Sequence, residues 1–341
     1  MSSSSMLKRS SLVVMLLFLA SCQSIRTRED IRKGTHPGKT STQGTMSPTT
    51  PTAPSSPNFG TPPPPDGDGD DEDMAAAPPP PPAPVIPSMP KIAFILGGGG
   101  AKTYAHVGFL HELVRAKVPV QAIAGVEFAA PMAALFATRE QANDVEWQMF
   151  KLKDEEVIKK SLLGSVNKNG EVTVLKEFLG TAFNRTKVED FRIPFACPSY
   201  NLKKNQVFMM NRGGLDQIMY TCMAYPPFFK PYQNNIAGIR DISALAAYLR
   251  TKGANFVVLV NVLQAPGGTK PYTMDVAATD NVLWSEIGGL YNKPFTGVDT
   301  VISLDTSAYG IMDFEKRREI MSKGADSAAK QLKVLTRKWG L

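Results

Sequence analysis

From Lys91 onward, apolar and polar positions follow two alternating rhythms. Apolar runs of strand character stand at "KIAFIL", "VQAIAG", "FRIPFACPSY", "QVFMMNR", "NFVVLVNV" and "VDTVISLD". Between them the spacing turns helical. From Thr103 to Ala116, Tyr104, Val107, Leu110, Leu113 and Val114 fall on one face of a helix. A second helix is predicted over Ala129 to Thr138, and others at "ISALAAYLRTKG" and "FEKRREIMSKGADSAAKQLKVLT". Strands alternating with helices predict an α/β fold, with a mostly parallel central sheet flanked by helices.

Ahead of Lys91 the periodicity stops. Gln23 to Pro90 is rich in Ser, Thr and Pro, and its proline tracts (Pro62–Pro65, Pro78–Pro82) favour extended chain over a packed core. The acidic run Asp66 to Asp73, "DGDGDDED", alternates Asp and Gly as calcium loops do. It lacks the glutamate and flanking helices of an EF-hand, so it reads as a solvated spacer. The first residues have export character: Lys8 and Arg9, then the apolar run Leu12 to Ala20, too short to span a bilayer. The run ends in "LASC", Leu19 to Cys22, which resembles a bacterial lipobox. That resemblance implies a signal peptide over 1–21 and a lipidated Cys22 that holds the protein on a membrane. Residues 22–90 then form a tether and 91–341 the folded domain. Gln23 follows the cysteine in place of an inner-membrane-retaining Asp, which favours the outer membrane of a bacterial envelope.

Composition refines this picture. Of 341 residues, 43% are apolar, enough for a substantial core. Lys and Arg total 38 against 31 Asp and Glu. Beyond Asp73 the excess is on the basic side, which suits anionic lipid headgroups. No basic run with interleaved aromatics argues for nucleic acid. Cys197 and Cys222 both lie in apolar stretches, the setting of buried free thiols; an exported chain leaves a disulfide open as the alternative. No cysteine–histidine spacing suggests a metal, and no cofactor is expected.

The candidate chemistry begins at "LGGGGAKT", Leu96 to Thr103. Leu96 and Ala101 occupy the two glycine positions a P-loop requires, and no dinucleotide fingerprint fits either. Glycines between a strand and a helix N-terminus can instead aim several backbone N–H groups at one oxyanion. Here the chain resembles the patatin-like phospholipase family. The likeness rests on "GGGGAKTYAHVGFL", then "AIAGVEFAAPMAALFA", "YTCMAYPPFFKPY", "GANFVVLVNV" and "MDFEKRREIMSKGADSAAKQL", in the family's order.

The resemblance implies a Ser–Asp dyad and a glycine oxyanion loop. On this chain Gly97, Gly98, Gly99 and Gly100 fall on the loop and Lys102 on its basic residue. Gly125 falls on the first elbow glycine, Glu127 on the nucleophilic serine and Ala129 on the second elbow glycine. The acid falls on Ala237 without gaps, or on Asp241 with a short deletion. His106 and His111 are expected to be structural.

Glu127 has two places to go. It can fill the oxyanion loop, where carboxylate–amide bonds are strong, or face solvent at a drifted turn, which the Cβ of Ala129 would favour. The function expected is a non-catalytic domain that binds a lipid, an acyl-bearing ligand or an envelope protein. The alternatives are an acyl hydrolase with an unusual nucleophile and a purely structural scaffold.

Overall fold

Strand β1 (Ile92–Leu96) is buried at every position, which places it inside a sheet covered on both faces. The computed structural model describes residues 89–160, 166–167, 170–184, 186–263 and 278–341. The signal segment, Cys22 and the acidic run lie outside the described residues. Among those described, no helix is long and apolar enough to cross a membrane.

After β1, a 3-10 turn (Gly100–Tyr104) leads into α1 (Ala105–Arg115). Strand β2 (Ala122–Gly125) feeds α2 (Ala129–Arg139), followed by α3 (Ala142–Met149) and α4 (Asp154–Val157). A two-residue pair, β3 (Lys159–Lys160) and β4 (Val166–Asn167), stands apart from the main sheet. Helix α5 (Lys176–Phe183) precedes the hairpin β5 (Phe195–Asn201) and β6 (Gln206–Met210), then α6 (Leu215–Met223). Next come β7 (Asn235–Ala237), α7 (Ile242–Thr251), β8 (Phe256–Asn261), α8 (Ala278–Tyr291), β9 (Thr300–Ser303) and the long α9 (Arg317–Trp339).

The main sheet runs β6-β5-β2-β1-β8-β9, with β7 also paired to β5. The pairs from β5 to β9 are parallel, whereas β6 and β7 lie antiparallel to β5. The six sequence-predicted strands are all present in this sheet, and it is the α/β arrangement expected. Strand β7, three residues long, carries too little pattern to be seen beforehand.

Two local expectations are corrected. Val114 was placed on the buried face of α1 but is 46% exposed. The burial of α1 is set by α9, which crosses it at Gly108 and Gly324. A Cβ on Gly324 would lie 2.3 Å from the Ala105 carbonyl oxygen, and one on Gly108 would lie 2.1 Å from that of Met321. The second correction concerns the thiols. Cys197 and Cys222, expected free, form a disulfide with Cα atoms 6.1 Å apart. Strand β5 and helix α6 turn these inward positions toward each other, a facing that spacing along the chain does not reveal.

The α1–α9 crossing yields a test. Gly324→Val forces backbone against backbone, and should cost about 3 kcal/mol in urea unfolding, as overpacked contacts do. A loss below about 1 kcal/mol would mean the helices part without strain.

Candidate functional site

The glycine loop starts as a continuation of β1. The Gly97 N–H donates to the Val260 carbonyl at 2.9 Å, extending the ladder with β8 by one residue. The Gly97 carbonyl meets His106 Nε2 at 2.7 Å. A carbonyl only accepts, so this nitrogen carries the proton. Burial holds the imidazole neutral, with its pKa lowered to about 4. His106 is thus a fixed strut under the loop. His111 sits at the surface beside Glu146, 2.8 Å away.

Beyond Gly97 the chain rises past β8 and turns at Gly100, whose φ is +56°. A Cβ there would come within 2.4 Å of both the Ile311 oxygen and the Phe228 ring. Only glycine meets both demands. The Ala101 N–H donates to the Ile311 carbonyl at 2.7 Å and the Lys102 N–H to that of Gly99 at 3.1 Å. Lys102 is nearly buried, and its amine is lowered to about 8 by desolvation; the carboxylates that oppose this belong to Asp313 and Asp305.

Strand β2 supplies the facing turn. The Val126 N–H donates to the Leu96 carbonyl at 3.0 Å, which pins the elbow beside the loop. A Cβ on Gly125 would lie 2.4 Å from the Ala129 oxygen, so the tight strand–helix approach depends on Gly125. Ala129 itself is fully buried and fits. Glu127 sits at φ +56°, a left-handed conformation that costs a non-glycine residue on the order of 1–3 kcal/mol. The elbow is therefore sharp, not drifted.

Of the two places open to Glu127, the structure has the inward one. Its Oε2 accepts the N–H groups of Gly99 and Gly100, each at 2.9 Å, and the residue is fully buried. Its other oxygen, Oε1, has no hydrogen-bond partner. Burial raises the carboxyl pKa to about 7, opposed by the N–H groups of Gly100, Gly99 and Phe128. Desolvation outweighs these donors.

The cover over this pair comes from distant segments. A Cβ on Gly98 would meet Ile239 Cδ1 at 2.9 Å and the Glu127 Cβ at 3.1 Å, so Ile239 and Glu127 wall in that glycine. The Tyr291 hydroxyl donates to the Ile239 carbonyl at 3.0 Å and is bonded by the Gly98 backbone. Phe128, next to Glu127, packs on Phe228 and Phe314 with ring centroids 5.0 and 5.1 Å apart.

Ala237 and Asp241 line one wall of a cavity of about 310 Å³, together with Tyr200, Tyr225, Ile236, Ile239 and Arg240. Burial raises the Asp241 carboxyl above its ordinary range. Among the described residues no hydrogen bond joins Asp241 to Glu127; from this segment, Ile239 is what packs on the loop. Nor does any cluster of His, Cys, Asp and Glu there suit a metal ion.

Tyr291, Ile239 and Ile311 were not singled out in the sequence. Nothing marks an isolated tyrosine or isoleucine as loop cover. Phe228 lay within the quoted "YTCMAYPPFFKPY", though without a role.

The family model described as patatin-like phospholipase matches residues 94–241, from β1 through the elbow to Asp241. Over these residues the chain is similar to the patatin-like phospholipase family. Patatin-like phospholipase domain-containing protein 7 of Rattus norvegicus is 26% identical over 192 residues, which cover 50% of this chain and 13% of that protein. The lysophospholipase NTE1 of Coccidioides immitis (strain RS) is 22% identical over 284 residues, 74% of this chain and 18% of the relative. This chain therefore spans a small part of such relatives. Among solved structures, VipD from Legionella pneumophila has a TM-score of 0.44 at 11% identity, covering 72% of this chain and 67% of that one.

The buried carboxyl of Glu127 makes stability depend on pH. Its folded pKa of about 7 exceeds its ordinary 4.5, so the native state holds the extra proton between these values. Stability contributed by Glu127 is therefore present below 4.5 and is lost as pH rises to about 7, by roughly 3 kcal/mol. His106, lowered to about 4, titrates in the opposite sense. The readout is therefore a difference between two proteins. Glu127→Gln should gain stability relative to the parent on going from pH 5 to pH 8, measured by urea unfolding at both. Parallel pH profiles would contradict the assignment.

Proposed function

We propose that this chain is a membrane-anchored envelope protein whose patatin-like domain works by binding, not by acyl transfer. The single observation behind this is the internal use of the oxyanion donors. The N–H groups of Gly99 and Gly100 go to Glu127 Oε2, and those of Gly97, Ala101 and Lys102 go to the carbonyls of Val260, Ile311 and Gly99. An ester carbonyl entering the site would find the Gly99 and Gly100 donors already taken. The elbow also presents no alcohol to attack it. Attack by the Glu127 carboxylate would make a mixed anhydride and strip the loop of its ligand in the same step.

The cavity lined by Tyr200, Tyr225, Ile236 and Ile239 supports a lipid or acyl-bearing ligand. The "LASC" segment supports anchoring through Cys22 in a bacterial envelope, on the outer membrane. An envelope protein is the other partner compatible with this reading. One observation favours the alternative of an acyl hydrolase: the sharp elbow is kept, with Glu127 at φ +56°.

Ester turnover separates the two. The full chain, given p-nitrophenyl esters and phospholipid vesicles, should release product no faster than its heat-unfolded form, and a fluorophosphonate should label no serine. Turnover that rises in proportion to the amount of folded protein would overturn the binding assignment.

A further inference from the structure

The tip of the β5–β6 hairpin has an unusual make-up. Leu202 is 48% exposed there and is followed by Lys203 and Lys204, both exposed. Between Asp190 and Asp216 the chain holds Arg192, Lys203, Lys204 and Arg212 and no acidic residue. Val207 and Phe208, just beyond the tip, are half-buried, and the Lys204 ammonium lies 5.4 Å from the Phe208 ring centroid. Strand β6 is at the edge of the sheet, so this apolar and basic surface is at the margin of the domain.

The tip is also held rigidly. Asn201 Oδ1 accepts the N–H groups of Lys203 and Lys204 at 3.1 and 2.8 Å. The Leu202 N–H donates to the Asn234 carbonyl at 2.7 Å, and the Tyr200 hydroxyl bonds Asn205. An exposed leucine fixed in place by its own backbone loses little entropy when it enters another phase.

We propose that this hairpin tip docks the domain on an anionic lipid surface, with Leu202 entering the interface and Lys203 and Lys204 meeting the headgroups. Charge complementarity selects the occupant: a basic segment without acids, around an apolar tip, matches an anionic interface. The register adds an orientation. Tyr200 pairs with Val207 on one side and with Ile236 on the other, so the three share one face of the sheet. Tyr200 and Ile236 also line the cavity that Ala237 and Asp241 wall. Docking by the tip therefore brings the strand that carries Tyr200 close to the lipid. The proposal rests on the binding role argued above and gives it a surface.

The experiment uses the full chain carrying Cys22→Ser, so that no acyl group holds it to the membrane. Partitioning is measured onto phosphatidylcholine vesicles with and without phosphatidylglycerol. Each lysine at an anionic surface is worth about fivefold in partitioning, so Lys203→Glu/Lys204→Glu should lower it by about 30-fold or more. Leu202→Asp should lower it as well. Lys330→Glu/Lys333→Glu makes the same charge change on α9, which packs on β9 at the opposite edge of the sheet. That control should lose no more than about threefold. The tip side chains are exposed, so unchanged thermal midpoints will show that the variants fold. Equal losses in the hairpin and control variants overturn the proposal, as does a parent that ignores phosphatidylglycerol. Ester turnover in the separate assay would defeat the non-catalytic role while leaving hairpin docking measurable.

Discussion

A carboxylate taken fully out of water must find donors inside the protein or give up its charge. For Glu127 the donors are the backbone amides of Gly99 and Gly100, and the surrounding structure is organised around that contact. The loop reaches the carboxylate because Gly100 adopts a left-handed turn under Phe228 and Ile311. The carboxylate reaches the loop because Gly125 lets β2 and α2 close into an elbow. His106 holds the loop from below, while Ile239 and Tyr291 close it from above.

The balance at this contact is uneven. Desolvation outweighs the amide donors, so the carboxyl pKa is raised to about 7. The elbow carries backbone strain as well. In a hydrolase such strain holds a nucleophile toward its substrate. Here the same geometry aims a carboxylate into the backbone amides of Gly99 and Gly100. Burial and strain both cost stability, and the packing of Phe128, Phe228 and Phe314 beside the elbow is what keeps the arrangement in place.

Much of the frame was legible beforehand. Each strand of the parallel core is a continuous apolar run, and α1, α2, α7 and α9 each have a helical period, so their order followed from pattern alone; α8 was not singled out. The glycines at 97–100 stood out because four in a row, between a strand and a helix, have few other uses. That a glutamate, Glu127, stands at the turn after β2 could be read directly. The α1–α9 crossing could not: Gly108 and Gly324 are single glycines in helical patterns, and their purpose appears only where two backbones meet.

The sequence by itself determined the α/β order, the glycine loop, the elbow and the absence of an alcohol at its tip, because each is a property of neighbouring residues. Tertiary structure alone decided that Glu127 turns inward, that Ile239 and Tyr291 cover it, and that Cys197 joins Cys222. Those outcomes depend on which groups from distant parts of the chain share a space. A glutamate at a turn is equally at home in water or in a nest of amides, and only the packed neighbours that exclude the water make the choice.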